Sequence, residues 1–301
     1  MRILITGGAG YIGYSLVQSL DKNESVTKIT VFDNLYKKNF NFFTQGENLN
    51  KTIFAKGDIL NIYELEKVVK NQDIVIHLAA HVDSPFNYQD NYKYEQVNHY
   101  GTVVLFNLLE KFPPQKVIFA SSAAVYGFKQ NVTENTPPEP MNYYGSSKLN
   151  AENYLKILEK KSQIYLLRLG NVFGYNPMLR MDSVINKLMM EALIYKKIKI
   201  YGNGNQIRPF IHLPSLIENL QQFIFGNKES GVYNLVEFNQ NMNEIRDFLI
   251  EGNSDLEFVY LNSNQEVKSL EMFSEKMKIK ANPAEKLALA YQEFEKNVRI
   301  F

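Results

Sequence analysis

Apolar residues open the chain as a short unbroken run, Arg2-Ile3-Leu4-Ile5, and return after a glycine-rich interval at helical spacing in Tyr14-Ser15-Leu16-Val17-Gln18-Ser19-Leu20. That pattern predicts a buried strand, a turn and an amphipathic helix. The alternation then repeats. Strands are expected at 26–32, 52–56, 73–78, 116–120 and 163–169, and helices at 62–69, 92–111 and about 142–159, with Pro113-Pro114 stopping the second of these. The run 73–78 is apolar throughout, as in a parallel strand covered on both faces. Six strands alternating with helices in some 170 residues predict an α/β fold built on a doubly wound parallel sheet. After Gly170 the rhythm changes to a loop at 171–180, a helix at 183–195, a short strand at 199–201, a Gly202-Asn203-Gly204 turn, two smaller helices and a strand at 256–260. Arg208–His212 is expected to lead back toward the sheet, and 232–236 to be another strand. The expected division is a dinucleotide-binding domain over 1–170, joined by roughly 205–236, and a smaller, discontinuous substrate lobe over 171–204 and 237–301. No internal repeat interrupts it.

The stretch Thr6-Gly7-Gly8-Ala9-Gly10-Tyr11-Ile12-Gly13 carries glycines with distinct tasks. Gly7 turns the chain off the strand, Gly10 lets a pyrophosphate approach the backbone, and Gly13 lets helix and strand pack closely. The free amides of the first helical turn, at the positive end of the helix dipole, face the phosphates. Asp33 lies 20 residues beyond Gly13, at the end of the second strand, where a carboxylate accepts from the ribose hydroxyls and repels a 2′-phosphate. This predicts a Rossmann domain holding NAD rather than NADP. Asp58 suits either capping of the helix at 62–69 or a contact to adenine, and its spacing favours the cap. Ala79-Ala80 are small enough to leave room beside the cofactor.

Composition narrows the chemistry further. The 301 residues carry a net charge of +1 with no clustered basic face, so neither nucleic acid nor a membrane surface is an expected partner. The absence of cysteine removes disulfides, thiolate nucleophiles and cysteine zinc sites. No targeting segment or membrane-length apolar run is read, and a cytoplasmic location is expected. His77 and His81 are four apart at a strand end and would not share a face, so no metal site is expected.

Tyr144-Gly145-Ser146-Ser147-Lys148 places a phenol and an amine four apart on one helix face. An ammonium beside a phenol favours the phenolate and lowers its pKa from ~10 toward neutrality. Such a tyrosine can take a hydroxyl proton while hydride leaves the carbon. Ser122, at the carboxyl end of the fifth strand, is positioned to bind the same hydroxyl. Thr6 to Gly13, Ser121-Ser122-Ala123-Ala124-Val125-Tyr126-Gly127 and Tyr144 to Lys148 together resemble the extended short-chain dehydrogenase/reductase family. Within it, they are similar to nucleotide-sugar epimerases of the UDP-glucose 4-epimerase type.

The resemblance covers nearly the whole chain, weakening after about residue 237. It implies tightly held NAD, Tyr144 as base, Lys148 holding ribose and tuning the tyrosine, and Ser122 polarising the substrate oxygen. The expected cofactor contacts are Gly7, Gly10, Tyr11, Ile12, Asp33, Asn34, Asp58, Ile59, Leu78, Ala79, Ala80 and Asn98, with Tyr144 and Lys148. Ser121 and Asn98 fit a structural role as well as a functional one. For a nucleoside-diphosphate-sugar substrate the implied contacts are Ser84, Ser122, Tyr144, Asn171 and Arg208, with Arg180 in a loop that varies within the family. A guanidinium such as that of Arg208 suits bidentate phosphate binding.

The departures are Pro209 in place of an aspartate after the diphosphate arginine, Ser215 in place of an acid, and a 264–268 segment offering only Lys268. Dehydratases of the family carry Asp-Glu directly after the strand-end hydroxyl residue, where this chain has Ala123 and Ala124. The expected activity is NAD-dependent C4 epimerisation through a 4-keto sugar. The alternatives are net redox by the same residues, or a non-catalytic NAD-binding sensor or scaffold. A homodimer is expected through the helices at 92–111 and 142–159, which family members use to pair.

Overall fold

The computed structural model describes residues 1–44, 49–82, 91–251, 255–262, 268–279 and 281–298. The elements run β1 (Arg2–Thr6), α1 (Tyr11–Asp21), β2 (Lys28–Asp33), β3 (Thr52–Lys56), α2 (Ile62–Val69), β4 (Ile74–His77), α3 (Asn91–Lys93), α4 (Gly101–Lys111), β5 (Lys116–Ser122), α5 (Tyr143–Lys156) and β6 (Gln163–Leu169). There follow β7 (Asn171–Phe173), α6 (Val184–Tyr195), β8 (Lys197–Tyr201), β9 (Ile207–His212), α7 (Leu213–Phe225), β10 (Gly231–Leu235), β11 (Phe238–Asn241), α8 (Met242–Glu251), β12 (Glu257–Leu261) and α9 (Pro283–Asn297). Between α3 and α4 the backbone runs as a π-helix, Tyr94–Tyr100.

Seven parallel strands form the main sheet in the order β10-β6-β5-β4-β1-β2-β3. Side chains alternate across it as the pleat requires. Ile3 and Ile5 face a layer built from α1 (Leu16, Val17, Leu20) and α7 (Leu216, Leu220, Phe223). Leu4, between them, faces a layer built from α2 (Leu65, Val69), α4 (Leu105, Leu109) and α5 (Ala151, Leu155). Each such fully buried aliphatic side chain contributes about 1.5–3 kcal/mol. The continuous apolar runs therefore become central strands because both faces are covered. Chain order reverses between β4 and β1, which opens a crevice at their carboxyl ends.

Three expectations need correction. Arg208–His212 does not join the main sheet: β9 pairs antiparallel with β11 and parallel with β7 in a separate three-stranded sheet, and only β10 returns to the main one. The segment read as a loop from 171 begins with β7, three residues whose strand character comes from pairing with β9. The cap of α2 is Asn61, whose side chain accepts from the Tyr63 and Glu64 amides, and not Asp58.

The β11-β9-β7 sheet, the β12-β8 pair and helices α6, α8 and α9 enclose a separate apolar cluster that includes Phe173, Ile185, Ile198, Phe210, Ile245 and Phe294. Among the described residues, no helix is long and apolar enough to cross a membrane, and no cluster of His, Asp or Glu could hold a metal.

Candidate active site

The glycine loop is shaped by close backbone approach. Gly7 sits at φ 71°, and a Cβ there would meet the Ala79 amide nitrogen at 2.5 Å, so loop and β4 end touch only without a side chain. A Cβ at Gly13 would meet the Gly7 oxygen and Gly8 Cα at 2.6 Å. Gly10 differs: its backbone is extended, and a Cβ would touch only the Gly7 oxygen, at 3.2 Å. Gly10 is also the N-cap of α1, and no side chain caps that helix. The first-turn amides of Tyr11 and Ile12 are thus available to an anion, and the loop fits a pyrophosphate.

Asp33 accepts from the Ala9 amide at 3.1 Å and from the Leu35 amide at 2.8 Å, tying the glycine loop to the β2 end, and burial raises its carboxyl pKa. Asn34 donates to Asp58 at 2.9 Å, which joins the ends of β2 and β3 beside Ile59. Leu78, Ala79 and Ala80 follow β4, with the Leu78 amide donating to the Thr6 carbonyl at 3.0 Å. The expected cofactor residues therefore line the carboxyl ends of β1, β2, β3 and β4, which are neighbours in the sheet.

Two members of that set are turned inward. The Tyr11 ring is buried and its hydroxyl donates to the Gly174 carbonyl at 2.5 Å, so it braces α1 against the second lobe, and burial pushes its pKa up. Asn98, in the π-helical turn, accepts from the His81 amide at 2.7 Å and donates to the His81 carbonyl at 3.0 Å and to Ser147 at 3.2 Å. Every polar atom of its side chain is engaged by protein. His77 is a satisfied core histidine between the Thr6 and Thr102 hydroxyls at 2.7 and 2.9 Å, and burial lowers its pKa to about 3.

Ser122, Tyr144 and Lys148 converge where β5 meets α5. The Ser122 oxygen accepts from the Ala124 amide at 3.2 Å and interacts with the Tyr144 hydroxyl. Lys148 is 3% exposed, and its ammonium donates to the Ala120 carbonyl at 2.8 Å, 4.9 Å from the Phe119 ring centre. Tyr94 packs edge-on against the Tyr144 ring at 5.7 Å.

The electrostatics depart from the expected lysine-tuned phenolate. Burial raises Tyr144, against which Arg180 and Ser122 pull downward. The same burial lowers Lys148 to about 7, opposed by Glu152. Burial thus works against the charged form of both groups, and Glu152 acts in favour of the Lys148 ammonium.

Among the expected substrate residues, Ser84 lies outside the described residues. Asn171 donates to the Pro209 carbonyl at 3.0 Å. Arg208 donates to the carbonyls of Ile207 and Lys268 at 2.7 and 2.6 Å and faces Phe128; burial lowers its pKa to about 10, and no carboxylate among the described residues pairs with it. Arg180 is held by Asp182 at 2.9 Å and lies close enough to favour ionisation of Tyr144. Sequence reasoning missed Glu152 and Arg168, a fully buried pair directly below Lys148. The available signals were an acid four residues past Lys148 on the same face and a lone arginine in an otherwise apolar strand.

Comparison with known proteins gives a match to the NAD dependent epimerase/dehydratase family over residues 3–235. The chain is 31% identical over 264 residues to dTDP-D-glucose 4,6-dehydratase of Dictyostelium discoideum, covering 78% of this chain and spanning 58% of that relative's length. It is 33% identical over 220 residues to a putative UDP-glucose 4-epimerase of Methanocaldococcus jannaschii, covering 70% of this chain and 69% of that one. Among solved structures, UDP-glucuronic acid 4-epimerase from Bacillus cereus, in complex with UDP-glucuronic acid and NAD, superposes with a TM-score of 0.89 at 26% identity, covering 99% of this chain and 100% of that one. The chain belongs to the NAD dependent epimerase/dehydratase family.

Proposed function

We propose that this protein is an NAD-dependent nucleoside-diphosphate-sugar 4-epimerase. The observation that carries this is the apposition of Ser122, Tyr144 and Lys148 at the edge where the uncapped α1 amides and Asp33 offer a dinucleotide site. NAD would lie against Gly7, Gly10, Tyr11 and Ile12 through its phosphates, Asp33 through ribose, and Tyr144 and Lys148 beyond. When bound, it supplies the hydride acceptor and donor. Tyr144 takes the proton of the sugar hydroxyl and returns it, Ser122 holds the same oxygen, and Lys148 keeps the phenolate favourable as an ammonium. The half-buried Arg208 guanidinium, which no carboxylate among the described residues pairs with, suits the diphosphate, with Asn171 beside it and Arg180 as a further substrate contact. The substrate lobe proposed for it comprises 171–204 and 237–301.

Epimerisation is favoured over dehydration because Ala123 and Ala124 cannot move a proton at C5 or C6. Glu134 is no substitute: its carboxylate already accepts from the Asn234 and Glu275 amides, both at 3.0 Å, and from Ser274 at 2.5 Å. Mass spectrometry of small molecules released from purified protein tests the cofactor, and turnover of a panel of UDP-, GDP-, CDP- and dTDP-sugars tests the reaction. NAD with no turnover of any sugar would point instead to a sensor or scaffold, and a released keto sugar to net redox. We further propose a cytoplasmic homodimer, paired through residues 92–111 and 142–159, where Tyr100 and Ile157 are more than half exposed.

A further inference from the structure

Three consecutive residues at the end of β5 each engage a different turn of α5. Ala120 accepts from Lys148 at 2.8 Å, Ser121 donates to Glu152 at 2.5 Å, and Ser122 interacts with Tyr144. Tyr144, Lys148 and Glu152 are spaced by four and share one face of the helix. Glu152 is 0% exposed and bound bidentately by Arg168, 2% exposed, at 3.0 and 2.7 Å. Arg168 stands beside Ser121 in the strand register and stacks 4.7 Å from the Tyr126 ring centre. Tyr126 in turn donates to Asn234 at 2.8 Å.

Such a pair is a poor source of stability, because removing both charges from water costs about as much as their attraction returns, and apolar residues of the same volume often do as well. Its geometry serves the site above it. We propose that Glu152, held by Arg168 and Ser121, is a positioning residue that fixes the charge state of Lys148 and thereby the basicity of Tyr144. This rests on the proposed catalytic roles of Tyr144 and Lys148 but concerns a residue that contacts neither cofactor nor substrate.

The groups acting on the Lys148 ammonium sort by sign. Tyr144 and Glu152 lie on its own helix, His77 comes from β4 and Arg180 from the loop after β7, while Arg168 of β6 and Tyr126 after β5 stand behind Glu152. His77 is held neutral, and Arg180 acts against a charged Lys148. Glu152 is the group that opposes burial and favours the ammonium. Without it, Lys148 loses its proton more readily and the phenolate of Tyr144 loses its cation. Arg168 fixes the Glu152 carboxylate in place through its two hydrogen bonds.

The test is the titration of Lys148, followed by carbon NMR at Cε in protein labelled at lysine. The resonance is assigned by its loss in Lys148→Met, and it stands apart because ordinary lysines titrate near ~10.4. In Glu152→Gln, which keeps shape and hydrogen bonding but removes the charge, the midpoint should fall by about one pH unit or more. A structural role predicts the opposite sign: a loosened site hydrates Lys148 and raises its midpoint. Should the single variant not fold, the double variant Glu152→Met/Arg168→Met replaces the pair by apolar volume, and its midpoint should likewise fall. A midpoint unchanged or raised in the folded variant overturns the proposal. The titration needs neither NAD nor sugar, so a wild type that turns over nothing would defeat the proposed function and leave this result standing. Where turnover is found, the variants should lower kcat at least tenfold with KM kept.

Discussion

Gly10 and Gly13 lie three residues apart, one capping α1 and the other in its first turn, yet replacing each with alanine should have opposite consequences. At Gly13 the new methyl group would lie 2.6 Å from the Gly7 oxygen and Gly8 Cα and 2.7 Å from the Gly8 oxygen. These are backbone atoms, roughly 1 Å inside the ~3.5 Å at which such atoms ordinarily meet, and they cannot rotate away. Overpacking of this kind costs ~1–3 kcal/mol, of which the better helix propensity of alanine returns up to ~1, leaving a net loss of ~1 kcal/mol or more and a Tm lowered by a few degrees. At Gly10 the backbone is extended (φ −81°, ψ −178°) and the methyl group touches only the Gly7 oxygen, at 3.2 Å. Fold stability should change by less than ~0.5 kcal/mol. The methyl group would, however, stand over the uncapped α1 amides and weaken NAD at least thirtyfold, about 2 kcal/mol. Thermal melts with and without NAD, together with binding calorimetry, separate the two effects. Wild-type NAD affinity in Gly10→Ala, or wild-type stability in Gly13→Ala, would refute the assignment of one glycine to the ligand and the other to packing.

Burial holds His77 at about 3 and His212 at about 4, whereas the unfolded chain protonates both near ~6.5. Below that pH the unfolded state binds more protons, so stability should fall as pH falls, by up to ~1.4 kcal/mol per unit for each histidine, until the folded pKa values are reached. Urea unfolding between pH 7 and 5 measures this slope. His77→Gln should remove up to half of it, and an unchanged slope would contradict the assignment. Arg208→Met should weaken UDP binding tenfold or more, since charge-assisted bonds are worth ~1.5–3 kcal/mol each, while leaving NAD affinity intact. Calorimetry with UDP and with NAD distinguishes this from general damage. Light scattering at micromolar concentration should report twice the 34.9 kDa chain mass, and a monomer would count against the proposed helix pairing.

Much of this site was legible because its chemistry is local. The strand–glycine–helix start, Asp33 at the second strand end, and the Tyr144–Lys148 stripe all depend on spacings within one or two elements. What could not be read depends on contacts distant in sequence or on choices between near neighbours. Asp58 and Asn61 both suit a helix start, and only the folded backbone shows that Asn61 reaches the amides. The three residues of β7 are too few for periodicity and become a strand by meeting β9, each pairing with a residue 39 positions later. Tyr11 sits in a motif read for its backbone, yet its ring is committed to Gly174. Glu152, Arg168 and Ser121 come from three elements and become a unit only when β5, β6 and α5 pack. The same packing adds a burial that local spacing could not show, and it acts on Tyr144 against the lowering expected from Lys148.

The most direct test of the account is the fate of the sugar in deuterated water. The NAD-loaded protein is incubated with the nucleotide-sugar panel, and products are followed by proton NMR. The account predicts inversion at C4 with no deuterium from solvent, and no product at all from a Tyr144→Phe variant that still binds NAD. Loss of water with deuterium at C5, or inversion that survives Tyr144→Phe, would contradict it.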